Sequence, residues 1–214
     1  MTAVIFDMDG VLVDSEPLWQ KAEKEVFSSL GVEVNSELCK QTKTMTTDEV
    51  TRFWFERNPW QGKNFQEVEQ MVVSRVIELI EKENCEIQGV NKFIKKLKSS
   101  GMKIGLATNS PYRIIGPVLQ KTRLSHLFDS VSSAEFEENG KPAPDIYLTA
   151  SKKLGVAPKS CVVIEDSHSG IEAAKKAGMT TVAFTNNNRN GVINTADYRI
   201  DDFETENLMI FRQQ

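Results

Sequence analysis

The chain has 214 residues, of which 40% are hydrophobic and 26% are charged, a composition typical of folded globular proteins. Its formal net charge of −4 provides no basic field that would draw it to nucleic acid or to an anionic membrane. The three cysteines form no CxxC pair, which favours a reducing compartment. No stretch is apolar and long enough to span a membrane, and Asp7 and Asp9 interrupt the only apolar run near the N-terminus. We therefore expect a cytoplasmic protein.

The first predicted strand ends in a pair of aspartates. Val4-Ile5-Phe6 is an apolar run, and Asp7, Asp9 and Gly10 follow it directly. In a parallel sheet, functional side chains lie at the carboxyl ends of the strands, and glycine lets the backbone turn closely there. Two carboxylates this close repel each other unless a cation relieves them, and Mg2+ with its oxygen ligands is suited to do so. The alternative is a simple surface turn, because Asp and Gly are turn formers.

Residues 15–84 are predicted to be entirely helical. Ser15 is a candidate N-cap of the first helix, Pro17 suits its first turn, and Gly31 ends it. Thr47-Asp48 begins a later helix that Asn58-Pro59 stops. The predicted helices cover residues 15–30, 36–41, 47–58 and 65–83. This block interrupts the rest of the chain, so residues 1–14 and 85–214 are predicted to form one domain and residues 15–84 a second.

Beyond Gly89, strands and helices alternate. The predicted strands are 102–107, 128–132, 161–164, 180–184 and 198–200, and the predicted helices are 90–98, 112–121, 145–154 and 168–177. Repeated strand–helix units predict an α/β fold, here a Rossmann-like parallel sheet with helices on both faces. The helical block is then an insertion after the first strand.

Polar side chains follow several of these strands and should meet at one edge of the sheet. A carboxylate there can attack phosphorus, hydroxyl and ammonium groups can hold the phosphoryl oxygens, and a second carboxylate can transfer a proton. These groups together predict phosphoryl transfer. The candidate residues are Asp7, Asp9, Thr108, Asn109, Lys141, Glu165 and Asp166.

Four ordered motifs resemble those of the haloacid dehalogenase-like hydrolases, and they span nearly the whole chain. The motifs are Asp7-Met8-Asp9-Gly10, Thr108-Asn109-Ser110, Lys141-Pro142 and Glu165-Asp166-Ser167. The resemblance implies that Asp7 is the nucleophile and a metal ligand. It implies that Asp9 is the general acid and base and gives the metal its backbone carbonyl.

The same resemblance assigns the other motif residues. Thr108 and Lys141 would bind the transferring phosphoryl group, and Asp166 would ligate Mg2+ directly. Glu165 would contribute directly or through water, so the implied metal ligands are Asp7, Asp9, Glu165 and Asp166. The predicted substrate-binding residues are Asp9, Gly10, Glu16, Trp19, Thr108, Asn109 and Lys141.

The helical block resembles the four-helix cap of the subfamily that includes β-phosphoglucomutase. Within it, the stretch Ser15-Glu16-Pro17-Leu18-Trp19 is similar to bacterial hexitol and 2-deoxyglucose 6-phosphate phosphatases. Dehalogenases of this fold lack the second motif aspartate, so Asp9 favours phosphoryl chemistry. The mutases carry a cap histidine where Trp19 stands, and a cap arginine where this chain has Thr44-Met45-Thr46-Thr47. Both departures favour water as the final phosphoryl acceptor.

Several residues keep two interpretations. Asn109 could bind phosphate or substrate, or could cap the following helix. Glu16 could begin its helix or accept a sugar hydroxyl. Trp54 and Trp60 are expected to pack inside the cap, whereas Trp19 is the tryptophan assigned to the substrate.

We therefore expect a Mg2+-dependent phosphatase that hydrolyses a small sugar phosphate, of hexose or hexitol 6-phosphate type, through an aspartyl-phosphate. The alternatives are a β-phosphoglucomutase-like mutase and a catalytically silent binding protein of the same fold. Nothing in the sequence requires more than a monomer, and the exact sugar stays open.

Overall fold

The computed structural model of the chain describes residues 1–42, 45–187, 193–205 and 211. The chain divides into two compact units. The larger unit combines Met1–Asp14 with Cys85–Gln214, and the smaller unit is Ser15–Asn84. Thr44, which begins the stretch without the mutase arginine, lies outside the described residues.

The described part of the smaller unit is helical, as the sequence predicts. Its helices are α1 (Glu16–Ser29), α2 (Ser36–Thr42), α3 (Thr47–Arg57) and α4 (Phe65–Lys82). Helices α3 and α4 each begin with a capping box, formed by Thr46 with Glu49 and by Asn64 with Glu67. These reciprocal hydrogen bonds satisfy N–H groups that the first turn of a helix leaves without partners.

The predicted N-cap position of Ser15 is confirmed, but Ser15 does not cap α1 through its side chain. Ser15 occupies the N-cap position, but its side chain makes no capping hydrogen bond. Its backbone is helical (φ −93°, ψ −15°), whereas a capping side chain needs an extended N-cap residue. The Ser15 carbonyl instead accepts hydrogen bonds from the backbone N–H groups of Leu18 and Trp19.

An aromatic cluster fills the core of the smaller unit. The ring of Phe27 lies 6.0 Å from that of Trp54 and 5.9 Å from that of Trp60. Trp54 and Trp60 are 1% and 7% exposed. The prediction that these two tryptophans serve in packing is therefore confirmed.

Among the described residues, the larger unit contains a six-stranded sheet in which every neighbouring pair is parallel. The strands are β1 (Ala3–Phe6), β2 (Lys103–Thr108), β3 (Ser130–Ser133), β4 (Cys161–Glu165), β5 (Thr180–Phe184) and β6 (Tyr198–Ile200). Their order is β3-β2-β1-β4-β5-β6. The order reverses on the two sides of β1, and ligands of such sheets bind where the strand order reverses.

Helices cover both faces of this sheet, as predicted. They are α5 (Val90–Ser99), α6 (Tyr112–Lys121), α7 (Asp145–Leu154) and α8 (His168–Lys176). Successive side chains of a strand point to opposite faces. Phe6 of β1 contacts Phe93 of α5, whereas Ile5 belongs to a cluster with Ile146 of α7 and Ala173 of α8.

The register of the central strands brings their carboxyl ends to one level. Phe6 pairs with Leu106 on β2 and with Ile164 on β4. The residues that follow these pairs, Asp7 and Glu165 among them, therefore lie side by side. None of the helices in the described ranges combines the length and the hydropathy needed to cross a membrane.

Candidate active site

Four buried or nearly buried charged side chains meet at the carboxyl edge of the sheet. We call this group, Asp7, Lys141, Glu165 and Asp166, the strand-end cluster. The Lys141 ammonium lies 2.5 Å from Oδ1 of Asp7 and 2.6 Å from Oε1 of Glu165. It also donates to the backbone carbonyl of Ala107 at 3.0 Å. The Lys141 side chain is 3% exposed, so these contacts form away from bulk water.

Asn109 holds the backbone of Lys141. Its Oδ1 accepts a hydrogen bond from the Lys141 N–H at 3.0 Å. The alternative that Asn109 caps the following helix is wrong, because α6 begins at Tyr112 with Pro111 at the N-cap. Sequence reasoning missed this third role, which connects the end of β2 to a loop 32 residues further along the chain.

Glu165 is fully buried, and both of its carboxylate oxygens accept hydrogen bonds from several groups. Oε1 accepts from Lys141 and, at 2.7 Å, from the Tyr147 hydroxyl. Oε2 accepts from the backbone N–H groups of Asp166 and Ser167 and from the Ser167 hydroxyl. Burial opposes ionisation, but Lys141 and these hydrogen bonds keep the pKa of Glu165 below its usual value. A carboxylate offers about four lone-pair positions, so this one is already heavily engaged.

The other two carboxylates of the cluster resist ionisation. Burial raises the pKa of Asp7 to about 8, although the neighbouring Lys141 opposes that rise. Burial, together with the charges of Glu165 and Asp7, raises the pKa of Asp166 to about 9. The pKa of Lys141 is raised as well, because its two carboxylate partners outweigh the effect of burial.

The donor set fits a hard divalent cation. Asp7, Glu165 and Asp166 can each present one carboxylate oxygen within 4.8 Å of the others. Three carboxyl groups face one ammonium here, and repulsion between their charges adds to the effect of burial in raising the pKa values of Asp7 and Asp166. Mg2+ prefers oxygen ligands and would relieve that charge.

Gly10 is required where the loop after β1 passes this cluster. Its φ is +74°, and a Cβ at this position would collide with the carboxylate of Asp166. Glycine alone combines the left-handed backbone with the missing side chain. The predicted close turn after Asp9 is therefore confirmed, and its reason is the approach to Asp166.

Asp9 lies beside two hydroxyl groups at the carboxyl end of β2. Its Oδ2 accepts a hydrogen bond from Ser110 Oγ at 2.6 Å and a longer one from Thr108 Oγ1 at 3.4 Å. Thr108 Oγ1 also accepts from the Ser110 N–H at 3.0 Å. Sequence reasoning identified Asp9 and Thr108 but gave Ser110 no role.

Tyr147 is the second residue that sequence reasoning missed. It lies in the first turn of α7, is fully buried, and its ring centre is 5.1 Å from Lys141 Nζ. A buried tyrosine hydroxyl needs a hydrogen-bond partner, and Glu165 provides it. A tyrosine on the apolar face of the helix after the Lys141 loop was the signal that could have identified it.

Glu16 and Trp19 belong to the smaller unit, and both are half-buried. Glu16 Oε1 accepts a hydrogen bond from Gln20 at 2.8 Å, one turn along α1. Glu16 is the first residue of α1, where a negative charge is favourable.

Comparisons with known proteins point in the same direction as the site. A family model described as "Haloacid dehalogenase-like hydrolase" matches residues 4–184. Hexitol phosphatase B of Escherichia coli (strain K12) is 42% identical over 182 residues, covering 84% of this chain and 82% of that protein. A phosphorylated carbohydrates phosphatase of Thermotoga maritima is 36% identical over 184 residues, covering 85% and 84%.

A solved structure of β-phosphoglucomutase from Clostridium difficile superposes with a TM-score of 0.81. It is 25% identical and covers 98% of this chain and 95% of its own. The matched family model spans all four motifs of the strand ends, from Asp7 to Asp166. The chain therefore belongs to the haloacid dehalogenase-like hydrolases.

Proposed function

We propose that this hydrolase is a Mg2+-dependent phosphomonoesterase acting on a small sugar phosphate of hexose or hexitol 6-phosphate type. The observation that carries the proposal is the buried Lys141 ammonium shared by Asp7 and Glu165 next to Asp166. A cation and carboxylates in one water-poor site suit a phosphoryl group and its metal. The relatives named as hexitol and carbohydrate phosphatases support the substrate class.

In the first step, a carboxylate oxygen of Asp7 attacks phosphorus and the bond from phosphorus to the sugar oxygen breaks. Asp9 gives its proton to that departing oxygen, which leaves as the sugar hydroxyl. Lys141 and Thr108 hold the phosphoryl oxygens. The product on the enzyme is an aspartyl-phosphate, which divides one difficult displacement into two easier ones.

In the second step, water attacks the phosphorus of the aspartyl-phosphate. Asp9, now a carboxylate, takes a proton from that water, and the bond between phosphorus and Asp7 breaks. Inorganic phosphate leaves, the Asp7 carboxylate is restored, and Asp9 is again protonated. The same residue thus serves as acid and then as base.

Asp7, Asp166 and the backbone carbonyl of Asp9 are the proposed ligands of Mg2+. Bound there, the metal would offset negative charge on the transferring phosphoryl group. We assign Glu165 to the metal through water and to the positioning of Lys141, because hydrogen bonds already engage both of its oxygens.

We further propose that residues 1–14 with 85–214 are the catalytic core and residues 15–84 the cap domain. Glu16 and Trp19 are the proposed substrate-binding residues of the cap, and Asn109 supports substrate binding through Lys141. The contacts of Asn109 with the Lys141 backbone favour this indirect role.

A sugar-phosphate mutase is the second candidate, because a β-phosphoglucomutase shares the fold over most of the chain. Trp19 in place of a cap histidine, and the stretch of residues 44–47 without arginine, argue for water as acceptor instead. A catalytically silent binding protein is the third candidate. It is disfavoured because Asp9 is present as well as the three carboxylates of the strand-end cluster, so no acidic residue that the chemistry requires has been lost.

The first test is phosphate release from a panel of sugar phosphates, with and without EDTA. We expect turnover on hexose or hexitol 6-phosphates that EDTA abolishes and Mg2+ restores. Asp166→Asn should require a far higher Mg2+ concentration for half-maximal phosphate release. The matched control is Asp48→Asn, in the first turn of α3, which should have the Mg2+ requirement of the wild-type protein. Conversion between sugar 1- and 6-phosphates, stimulated by a bisphosphate, would favour the mutase. Absence of any turnover would favour the third candidate, the catalytically silent binding protein.

A further inference from the structure

A chain of hydrogen bonds leads from the end of β3 to Asp9. Its last bond is short: Ser110 Oγ donates to Asp9 Oδ2 at 2.6 Å. The bond from Thr108 to the same oxygen is much longer, at 3.4 Å. Of these two hydroxyls, that of Ser110 therefore lies closer to the proposed acid and base.

Ser110 is itself held at both backbone groups. Its N–H donates to Thr108 Oγ1 at 3.0 Å, and its carbonyl accepts from Ser133 Oγ at 2.7 Å. Ser133 is 1% exposed and lies at the end of β3, so it provides a rigid support. The Ser110 hydroxyl is thus presented to Asp9 from a fixed backbone.

The start of α6 is tied to the same support. Ser133 Oγ accepts from the backbone N–H of Glu135 at 3.2 Å, and Glu135 Oε2 accepts from the N–H of Tyr112 at 2.7 Å. Both ends of the segment from Ser110 to Tyr112 are therefore connected to β3 and the turn after it. A segment fixed in this way can set the direction of a hydrogen bond to a third group.

A carboxyl group that transfers a proton must hold one orientation toward the leaving oxygen. An aspartate side chain can rotate about its terminal bond, and small errors in position reduce the rate of proton transfer strongly. A short hydrogen bond to Oδ2 restricts that rotation.

We propose that Ser110 is a positioning residue for Asp9, which it holds in the orientation that protonates the leaving sugar oxygen. The inference rests on the proposed phosphatase function and deepens it. It distinguishes Ser110 from Thr108 and Lys141, which are proposed to contact the phosphoryl group itself.

Substrates with different leaving groups provide the test. The alkoxide of sorbitol 6-phosphate needs a proton to leave, whereas the phenolate of 4-nitrophenyl phosphate does not. Ser110→Ala should lower kcat/KM for sorbitol 6-phosphate by about 10–100-fold, part of the full value of general acid catalysis. For 4-nitrophenyl phosphate the change should stay within about threefold, because kcat/KM reports only the steps through transfer to Asp7.

Three further variants serve as controls. Ser110→Thr keeps a hydroxyl and should restore most of the rate on sorbitol 6-phosphate. Ser132→Ala removes a buried hydroxyl of β3 that has no hydrogen-bond partner among the described residues. This variant should keep the wild-type kcat/KM for both substrates. Ser133→Ala keeps the Ser110 side chain but removes the hydrogen bond to the Ser110 carbonyl, so kcat/KM should fall selectively, and by less, for sorbitol 6-phosphate. If Ser110→Ala does not fold, Ser133→Ala provides the test.

Equal losses on both substrates, or no loss on either, would overturn the positioning role while leaving the phosphatase function intact. A raised KM for sorbitol 6-phosphate at unchanged kcat would also overturn it, because Ser110 would then be a substrate contact. Failure of the wild-type protein to hydrolyse either ester would count against the proposed function, and the inference would fall with it.

Discussion

The two units of the molecule differ in where their paired charged side chains lie. The strand-end cluster of the larger unit buries three carboxylates around one ammonium, and the Lys141 side chain is only 3% exposed. In the smaller unit, ion pairs such as Lys21–Glu83 lie in solvent, with side chains 47% and 42% exposed. Its buried interior is the aromatic cluster of Phe27, Trp54 and Trp60.

Exposed ion pairs and buried charged clusters have different energetic costs. Exposed ion pairs contribute little to stability, because water screens them. A buried cluster of three carboxyl groups around one ammonium is costly, and in the proposed function a metal and a phosphoryl group offset that cost. The predictions below alter one unit or the other.

The largest expected effect comes from removing the central cation. Lys141→Met leaves Asp7 and Glu165 buried without their ammonium, and breaking a buried pair in this way costs about 3–5 kcal/mol. Urea denaturation at pH 7 should show that loss, and phosphate release should fall by about 10²-fold or more.

Lys153→Met is the matched control for this prediction. Lys153 donates to the carbonyl of Val131 from an exposed position, so its loss should change stability by less than about 0.5 kcal/mol. If Lys141→Met were as stable as this control, the cluster would not depend on its ammonium.

A smaller effect is expected from the hydroxyl of Tyr147. Tyr147→Phe keeps the ring beside Lys141 but removes the hydrogen bond to Glu165, and a bond to a charged group contributes about 1.5–3 kcal/mol. Denaturation should show a loss of that size, with a several-fold fall in kcat. Tyr112→Phe alters an exposed tyrosine and should change neither quantity. If Tyr147→Phe had the stability and the kcat of the wild-type protein, the hydrogen bond from Tyr147 to Glu165 would contribute to neither.

The smallest effect concerns pH and the smaller unit. Burial, assisted by the charge of Glu16, raises the pKa of Glu23 from 4.5 to about 7. The folded protein thus binds a proton that the unfolded chain has released, so stability should fall as pH rises from about 4.5 to about 7. Glu23→Gln should remove that decline, which we expect to be about 1–2 kcal/mol because Glu23 is only half-buried and solvent screens its charge. The measurement is the urea midpoint across this range.

Glu25 provides a comparison with the opposite sign in the same helix. The hydrogen bond from Arg75 lowers the pKa of Glu25, so its contribution is present at neutral pH and disappears as the solution becomes acidic. Glu25→Gln should therefore leave the decline between pH 4.5 and 7 in place. The same decline in Glu23→Gln would contradict the assignment to Glu23.

Local patterns predicted most of the fold. Helix α6 and strand β5 have the predicted bounds, Tyr112–Lys121 and Thr180–Phe184. Apolar runs and turn residues are local signals, so the sequence carries them directly. Several other bounds differ by one residue, and the largest difference is at the strand following Leu127, which begins at Ser130 rather than at residue 128. Asp129 instead accepts a hydrogen bond from the N–H of Ile104.

The site was predictable only in part, because some of its contacts join distant segments. Asp7 directly follows β1 and Lys141 lies in the loop before α7, and both belong to motifs that can be recognised in the sequence. Tyr147 and Ser110 act through partners 18 and 101 positions away in sequence. Only the sheet register and the loop geometry bring such pairs together.

The central claim is that Asp7 becomes phosphorylated during turnover. The direct measurement is rapid acid quenching of the enzyme with substrate and Mg2+, followed by mass spectrometry of its peptides. We predict one added phosphoryl group on the peptide that contains Asp7, absent from Asp7→Asn, which should stay folded and lose turnover by about 10³-fold or more. A phosphoryl group on another residue, or unchanged phosphate release by Asp7→Asn, would contradict the account.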